Sequence, residues 1–470
     1  MDESRREFLK TSAVAAAVAA VPGPVRALGT PSRVMGANDR VRVAIVGLRG
    51  RGQNHITGYG ALPNVEIAAL CDIDDNVMSQ RLAQVRKMGF QPKTYVDIRK
   101  LLDDKSIDAV SIATPHHWHA VMAIWSMQAG KDVYVEKPCS HNLWEGKQLV
   151  RAVAQYNRIF QHGTQSRSNQ SVIDAVQKMQ KDAILGDVYL SRGLCFKWRD
   201  TIGHAPESPV PAGVDYDLWT GPAPLKTFTK NRFHYNWHWF WDYGNGDLGN
   251  QGIHQLDIAR WGLGPGFGFP NKISAVGGHV MFDDDQQTPN VLNCTFEYSR
   301  PNGKPVILQF EVRHWSSNHE AGIGAGRKAS ANSGEAASGG LGPAEGSYNS
   351  VGNLFYGSKG YMAIDNAAGY STWFGQKQEP GPSAPQSKED HFENFISCVI
   401  SRKKEDLRAP VEEGHHSSGL AHLANASYRL GRTLNFDPVT QMVKDDDEAN
   451  HLLRESGRGY RSPFSVPEHI

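Results

Sequence analysis

Asp132-Val133-Tyr134-Val135 runs directly into Glu136-Lys137-Pro138. A stretch of β-branched and aromatic residues that stops at a carboxylate, an amine and a proline reads as a buried strand delivering polar groups to its carboxyl end. In open α/β sheets that end is where ligands bind. A lysine there can hold or move a proton once burial or a neighbouring cation draws its pKa toward neutrality. A second polar set lies at Asn250, His254 and Asp257, where steps of four and three residues predict one face of a helix. His254 can accept a proton near neutral pH, whereas the Asn250 amide can only hydrogen-bond. Thr114-Pro115-His116-His117-Trp118-His119 invites a metal, but His116 and His119 are too few ligands and no Cys or carboxylate accompanies them. No metal is expected.

The elements that must position these groups begin with the apolar strand Arg42 to Val46. Gly47-Leu48-Arg49-Gly50-Arg51-Gly52 follows and leads into a helix ending near Leu62. Glycines between a strand and a helix let backbone N–H groups approach a pyrophosphate. The spacing is G-x-x-G-x-G, with Arg49 where the second glycine of the usual fingerprint stands; Arg49 either adds a cation to the phosphate site or points to solvent. The next strand, Val65 to Cys71, ends at Asp72. A carboxylate there can bind a ribose diol and repel a 2′-phosphate, so NAD is expected over NADP. Asp72 could instead cap the helix Asn76 to Lys87. The βα alternation continues through Ile98–Leu102, a strand at 109–113, a helix from about His117 to Ala129, the Lys137 strand, a helix at 143–156 and a strand at 159–161. A Rossmann domain over residues 39–163 is the expectation. Its cofactor contacts are placed at Gly47, Arg49, Gly50, Arg51, Gly52, Asp72, Thr114, Pro115, His119, Glu136 and Lys137.

A chain of 470 residues is long for one core and predicts a second domain, residues 164–470. A net charge of +1 gives no cationic surplus for phosphate, which argues against nucleic acid as a partner. Five scattered cysteines without a C-x-x-C pair indicate neither a disulfide framework nor a zinc ribbon. Residues 1–38 carry a different message. Ser4-Arg5-Arg6-Glu7-Phe8-Leu9-Lys10 is a twin-arginine pattern before the apolar run Ala13 to Val21, which is too short for stable membrane insertion. Export by the twin-arginine route to the periplasm is expected.

Taken together, Gly47-x-x-Gly50-x-Gly52, Asp72, Thr114-Pro115 with His119, and Glu136-Lys137-Pro138 resemble the glucose-fructose oxidoreductase, inositol dehydrogenase and rhizopine-catabolism (Gfo/Idh/MocA) family. The resemblance implies an α/β fold, with a Rossmann doubly wound parallel sheet followed by a C-terminal α/β domain carrying a large, open, mostly antiparallel sheet. It also implies a homo-oligomer, dimer or tetramer, a cis Lys137-Pro138 bond, and Lys137 close to the reacting carbon. The family's motif D-x-G-x-H-x-x-D supplies an Asp and a His that work with the lysine. Asn250 occupies that first Asp position here, so the catalytic pair is expected to be Lys137 and His254. His254 is expected to take the hydroxyl proton and Lys137 to stabilise the alkoxide, with the reverse assignment open.

The substrate implied is a sugar, glycoside or cyclitol, contacted by Lys137, Arg167, Trp241, Asn250 and His254. Arg167 stands where the chain resembles the family's crossover into the second domain. Trp241 belongs to Phe233–Tyr243, in which every odd position is aromatic; as a strand this puts six rings on one face, either as core or as a sugar-stacking platform. Further strands are expected at 272–280, 291–297 and 306–312, a hairpin at 353–364 and helices at 391–401 and 422–434. Glu412–His416 reads as loop, and residues 316–350 as a long Gly/Ala/Ser-rich loop. Three functions are compatible with these residues: net oxidation of a ring hydroxyl, glycoside cleavage through transient oxidation with retained NAD, and non-catalytic dinucleotide or sugar sensing.

Overall fold

The computed structural model describes residues 40–325, 349–366, 368–388 and 390–470. The signal segment and the centre of the 316–350 loop lie outside the described residues.

The first sheet has six short strands, β1 (Val41–Val46), β2 (Val65–Cys71), β3 (Lys93–Tyr95), β4 (Ala109–Ile112), β5 (Asp132–Val135) and β6 (Phe160–His162), of which β1, β2, β4 and β5 are largely apolar. They pair in the order β3-β2-β1-β4-β5-β6, all parallel. Continuous burial of β4 and β5 fits strands covered by helices on both faces. The covering helices here are α1 (Gly50–Gly60), α2 (Asp75–Lys87), α3 (Ile98–Leu102), α4 (His116–Gln128) and α5 (Leu143–Tyr156). Strand order reverses between β1 and β4, so Gly47 and Lys137 stand at the carboxyl edge beside a topological switch point.

The second sheet has ten strands. It includes β7 (Val188–Lys197), β8 (Lys272–Gly278), β9 (Val291–Ser299), β10 (Pro305–His314), β11 (Ser350–Gly357) and β12 (Gly360–Asp365). β13 (Gly369–Phe374) and β14 (Glu379–Pro385) extend one edge, β15 (Leu434–Asp437) and β16 (Met442–Val443) the other. Every pair is antiparallel except β7 with β10. Along β10, Val306, Leu308, Phe310 and Val312 are buried at alternate positions, the period of a sheet packed chiefly on one face. Each such side chain removed from water contributes about 1.5–3 kcal/mol. Between the crossover and these strands lie α6 (Gln170–Gln180), α7 (Tyr216–Thr220), α8 (Gly246–Gly249) and α9 (Gly252–Leu263).

The far end of the chain completes both layers. From α10 (His391–Ser401), Phe395, Ile396, Cys398 and Val399 join the β1–β2 core, while Phe464 and Val466 pack with β4 and α4. α11 (Val411–Leu430) runs between the two sheets and packs on α5 and β8, with α12 (Asp447–Glu455) outside it.

Three local expectations are corrected. Glu412–His416 is the opening of α11 rather than a loop. Its polar letters hide a helix enclosed from several sides, where Gly414 and Gly419 admit the rings of His162 and Phe269. Phe233–Tyr243 is not a strand: Asn236–Trp239 is a 3₁₀ turn, and His234 has φ +55°. Its rings, Trp241 excepted, collapse with Tyr216, Trp219 and Phe228 into one compact cluster instead of lining a face. Finally, Asn250, His254 and Asp257 do not share a helix. Asn250 closes α8 with ψ −92°, and α9 begins two residues later, carrying His254 and Asp257.

Candidate active site

One cavity of about 660 Å³ runs from the β1–α1 turn, past the ends of β4 and β5, to the start of α9. Gly47, Arg49, Gly50, Arg51 and Asp72 line its first half. Thr114, Pro115, His119, Glu136 and Lys137 line the middle, and Asn250 and His254 close the far wall.

At the first end, the glycines are dictated by close packing. Gly47 has φ +80°, and a Cβ there would lie 2.8 Å from the Ala113–Thr114 backbone; a Cβ on Gly52 would lie 1.9 Å from the Gly47 carbonyl oxygen. Gly52 therefore packs beneath the turn instead of lining the cavity. The N-terminus of α1 carries no side-chain cap and no acidic residue in its first turn, so its free N–H groups face a space suited to an anion. Arg49 is exposed at that position. Asp72 accepts N–H bonds from Leu48 (2.7 Å) and Asp74 (3.0 Å). Burial pushes its carboxyl up to about 6 against those two donors. The cap of α2 is Asp74, not Asp72, which leaves the Asp72 lone pairs available to a ribose diol. These features fit a dinucleotide with Gly47, Gly50 and the α1 amides at the pyrophosphate and Asp72 at the adenosine ribose.

At the centre, the Lys137-Pro138 bond is cis. Glu136 is buried, and its Oε1 receives Arg51 Nε at 2.8 Å, His55 Nε2 at 3.1 Å and Gln165 Nε2 at 2.9 Å. Burial opposes its ionisation, but Arg51, His55 and Lys137 outweigh burial and hold it well below the usual carboxylate range. Arg51 and His55 reach one oxygen because four residues separate them on α1. Lys137 Nζ donates to Asn250 Oδ1 (2.8 Å) and to the Asn250 carbonyl oxygen (3.0 Å). Burial draws its pKa down to about 8, with Arg51 and Lys197 adding to the fall and Glu136 and Asp247 opposing it.

The three histidines of the β4–α4 turn separate. His119 lies between the Pro138 and Thr114 carbonyl oxygens, its Nδ1 2.6 Å from the first and its Nε2 2.7 Å from the second, and its one N–H donates to one of them, which seats the turn against the Lys137 strand end. His117 bonds the Trp219 carbonyl oxygen at 3.0 Å. His116 faces the cavity with Nδ1 buried and unpartnered, as is Nδ1 of His254. Burial, then the charge of Lys137, pushes His254 down to about 3, so it is neutral.

Two expected substrate contacts lie elsewhere. Arg167 is buried in a bidentate pair with Asp257 (2.7 and 2.9 Å) and a further bond to Glu413 (2.7 Å), and does not line the cavity. Trp241 packs near Tyr428, its ring 5.0 Å from the Arg429 guanidinium carbon, and is also outside the lining. Tyr235, Trp237 and His238 occupy the wall where Trp241 was expected. Sequence reasoning also missed His55, whose four-residue step from Arg51 was a readable signal. It missed Asp247 with Arg199 and His314, which no local pattern joins.

The family model of the NAD-binding Rossmann oxidoreductases matches residues 41–164, and that of their C-terminal α/β domain matches residues 169–320 and 378–464. This chain belongs to the Gfo/Idh/MocA oxidoreductase family. A twin-arginine signal model matches residues 4–22, indicating export by that route, and no described helix is long and apolar enough to cross a membrane. The aldose–aldose oxidoreductase of Caulobacter crescentus, solved with glycerol, superposes with a TM-score of 0.60 at 17% identity, over 84% of this chain and 100% of that one. A levoglucosan dehydrogenase solved with NADH gives 0.60 at 16%, over 84% and 98%. At that identity the likeness is one of fold. A glycosyl hydrolase family 109 protein of Shewanella pealeana is 35% identical over 167 residues, 32% of this chain and 37% of its own length. The chain thus aligns with little more than a third of that relative.

Proposed function

We propose that this protein is an NAD-dependent oxidoreductase that oxidises a ring hydroxyl of a sugar, glycoside or cyclitol. The observation that carries this reading is the convergence of Lys137, pinned by Asn250, and of His254 on a cavity continuous with the glycine turn. NAD held by that turn supplies the hydride acceptor. The protein's own task is to orient the carbinol and take its proton. Between the two candidates, a group near 8 is a far better match to neutral chemistry than one near 3. The reverse of the sequence expectation is therefore favoured: Lys137 takes the hydroxyl proton, and neutral His254 accepts a hydrogen bond from the substrate. The half-buried rings of Tyr235 and the buried Trp237 offer faces for sugar C–H groups. A periplasmic location and a dimer or tetramer belong to the same reading.

A second reading is a redox-neutral glycosidase in which NAD oxidises the sugar, the glycosidic bond is eliminated and the cofactor is restored. The names of the curated relatives favour it. So does the way residues 213–215 clasp the loop after β2: Asp75 N–H donates to the Gly213 carbonyl and Asp215 N–H to the Ile73 carbonyl, both at 2.9 Å, beside the ribose carboxylate. That clasp would slow cofactor loss outside the cytoplasm.

One experiment separates these readings. Purified protein is denatured to release and quantify NAD, and the native protein is incubated with a panel of glycosides and cyclitols. Accumulating keto-sugar or NADH is the expected result. Released aglycone without net redox change assigns the glycosidase, and neither product with NAD bound leaves a sensor.

A further inference from the structure

Asp247 is a carboxylate three residues before Asn250, on the second-domain side of the cavity and almost wholly buried. Its Oδ2 receives Arg199 Nε at 2.5 Å and His314 Nε2 at 2.7 Å, and its Oδ1 receives Arg199 Nη2 at 2.9 Å. The remaining capacity of Oδ1 meets Asn250 Nδ2 at 3.3 Å. An ionised carboxylate can only accept, so the Asn250 amide must turn its NH₂ toward Asp247 and its oxygen toward Lys137.

We propose that Asp247 is a positioning residue for the oxidation: it locks the Asn250 amide so that Lys137 Nζ gives two hydrogens to neutral acceptors and keeps its last valence for the substrate hydroxyl. This rests on the oxidoreductase reading above. In the amine form both N–H groups are donated to the Asn250 oxygens, and the lone pair is left pointing away from them. When a carbinol is oxidised there, the hydride acceptor that the glycine turn would hold would take the C–H electron pair, and the hydroxyl proton would pass to that lone pair as the C=O bond forms. The resulting ammonium donates its new hydrogen to the carbonyl oxygen and returns it on reversal. A carboxylate at position 250 would hold the ammonium instead, because opposite charge in contact favours the charged form. The locked amide supplies the geometry without the charge.

Lys137 is surrounded by charged and titratable groups from every neighbouring element. Glu136 and Arg51 lie on the first-domain side, Lys197 at the end of β7 and Asp247 on α8. His116 and His119 on α4, His238 on the 3₁₀ turn and His254 on α9 also feel its charge. All four histidines are held below their ordinary range by burial first, so they stay neutral while Lys137 titrates.

The test reads Lys137 directly. NAD-loaded protein is labelled with acetic anhydride across pH 6 to 11, and acetylation of the Lys137 peptide is followed by mass spectrometry beside the pH profile of kcat for sugar oxidation. Asn250→Asp is expected to raise the labelling midpoint by about one to three pH units and to move the acid limb of kcat with it. Asp247→Asn frees the amide to turn its NH₂ toward Lys137 and is expected to lower the midpoint and cut kcat roughly 10–100-fold. Asp247→Glu, which keeps a carboxylate for Arg199 but shifts its register, is expected to do the same more weakly and serves if Asp247→Asn does not fold. A midpoint and acid limb unmoved in the folded Asp247 variants overturn the proposal. A protein that oxidises no sugar ends the oxidoreductase reading, while the labelling midpoints still decide the role of Asp247.

Discussion

Two buried carboxylates bracket Lys137, and they are built differently. Glu136 is its chain neighbour and belongs to the Rossmann side, where it draws in Arg51, His55 and Gln165. Asp247 comes from the second domain, holds Arg199 and His314, and reaches the lysine through the Asn250 amide. The Arg51 side chain is 39% exposed, while that of Arg199 is 7% exposed. The first carboxylate thus has one partner that reaches solvent, and the second holds its arginine away from it. That difference predicts a more adjustable first-domain side and a more rigid second-domain side.

The largest effect should come from the residue between them. Lys137→Ala is expected to lower kcat by about 10²–10⁴-fold, the scale of a lost general base, with NAD still recovered stoichiometrically from denatured protein. Full turnover in that variant would remove the lysine from the chemistry. Next come the carboxylates themselves. Asp247→Ala strands a buried guanidinium and should cost about 3–5 kcal/mol in denaturant unfolding. Glu136→Ala leaves Arg51 free to hydrate but strips buried His55 of its acceptor, and about 1–3 kcal/mol is expected. Equal losses would show that the two sides do not differ in rigidity.

Acid should separate them least, since buried histidines stand on both. His162 near Glu136 and His238 near Asp247 are each pushed by burial down to about 3, from an ordinary 6.5. The unfolded chain takes up protons below about pH 6.5 that the folded chain refuses, so stability falls as pH falls through that value and continues to fall toward pH 3. Each such histidine removes roughly 2 kcal/mol by pH 5. Thermal melts at pH 7, 6 and 5 should show a steady drop, and a flat profile would mean that these rings are protonated in the native state.

Much of the first domain could be read directly. Strands β1, β2, β4 and β5 were legible because a parallel sheet covered on both faces is spelled as unbroken apolar runs, and a glycine turn needs glycine. That Lys137, Asn250 and His254 meet at one cavity was legible for related reasons, by strand-end position and family spacing. For the aromatic stretch the core alternative holds and the strand does not, because alternation of large rings is shared by strands and by a collapsed cluster. Trp241 was placed with substrate for its ring and Arg167 for its place at the crossover, while ring packing and ion pairing with distant residues took them elsewhere.

By itself the sequence determined the βα order of most of the first domain, the glycine turn, the acid at the end of β2, the lysine at the end of β5 and the export signal. Each of these is encoded within a few neighbouring residues. The tertiary structure alone decided which groups meet that lysine. Arg199, Asp247 and His314 are joined across 48 and 67 residues of chain, and whether Asn250 presents oxygen or nitrogen depends on the carboxylate behind it. Hydrogen-bond polarity at the site is a property of contacts, and contacts between distant elements leave no spacing in the chain.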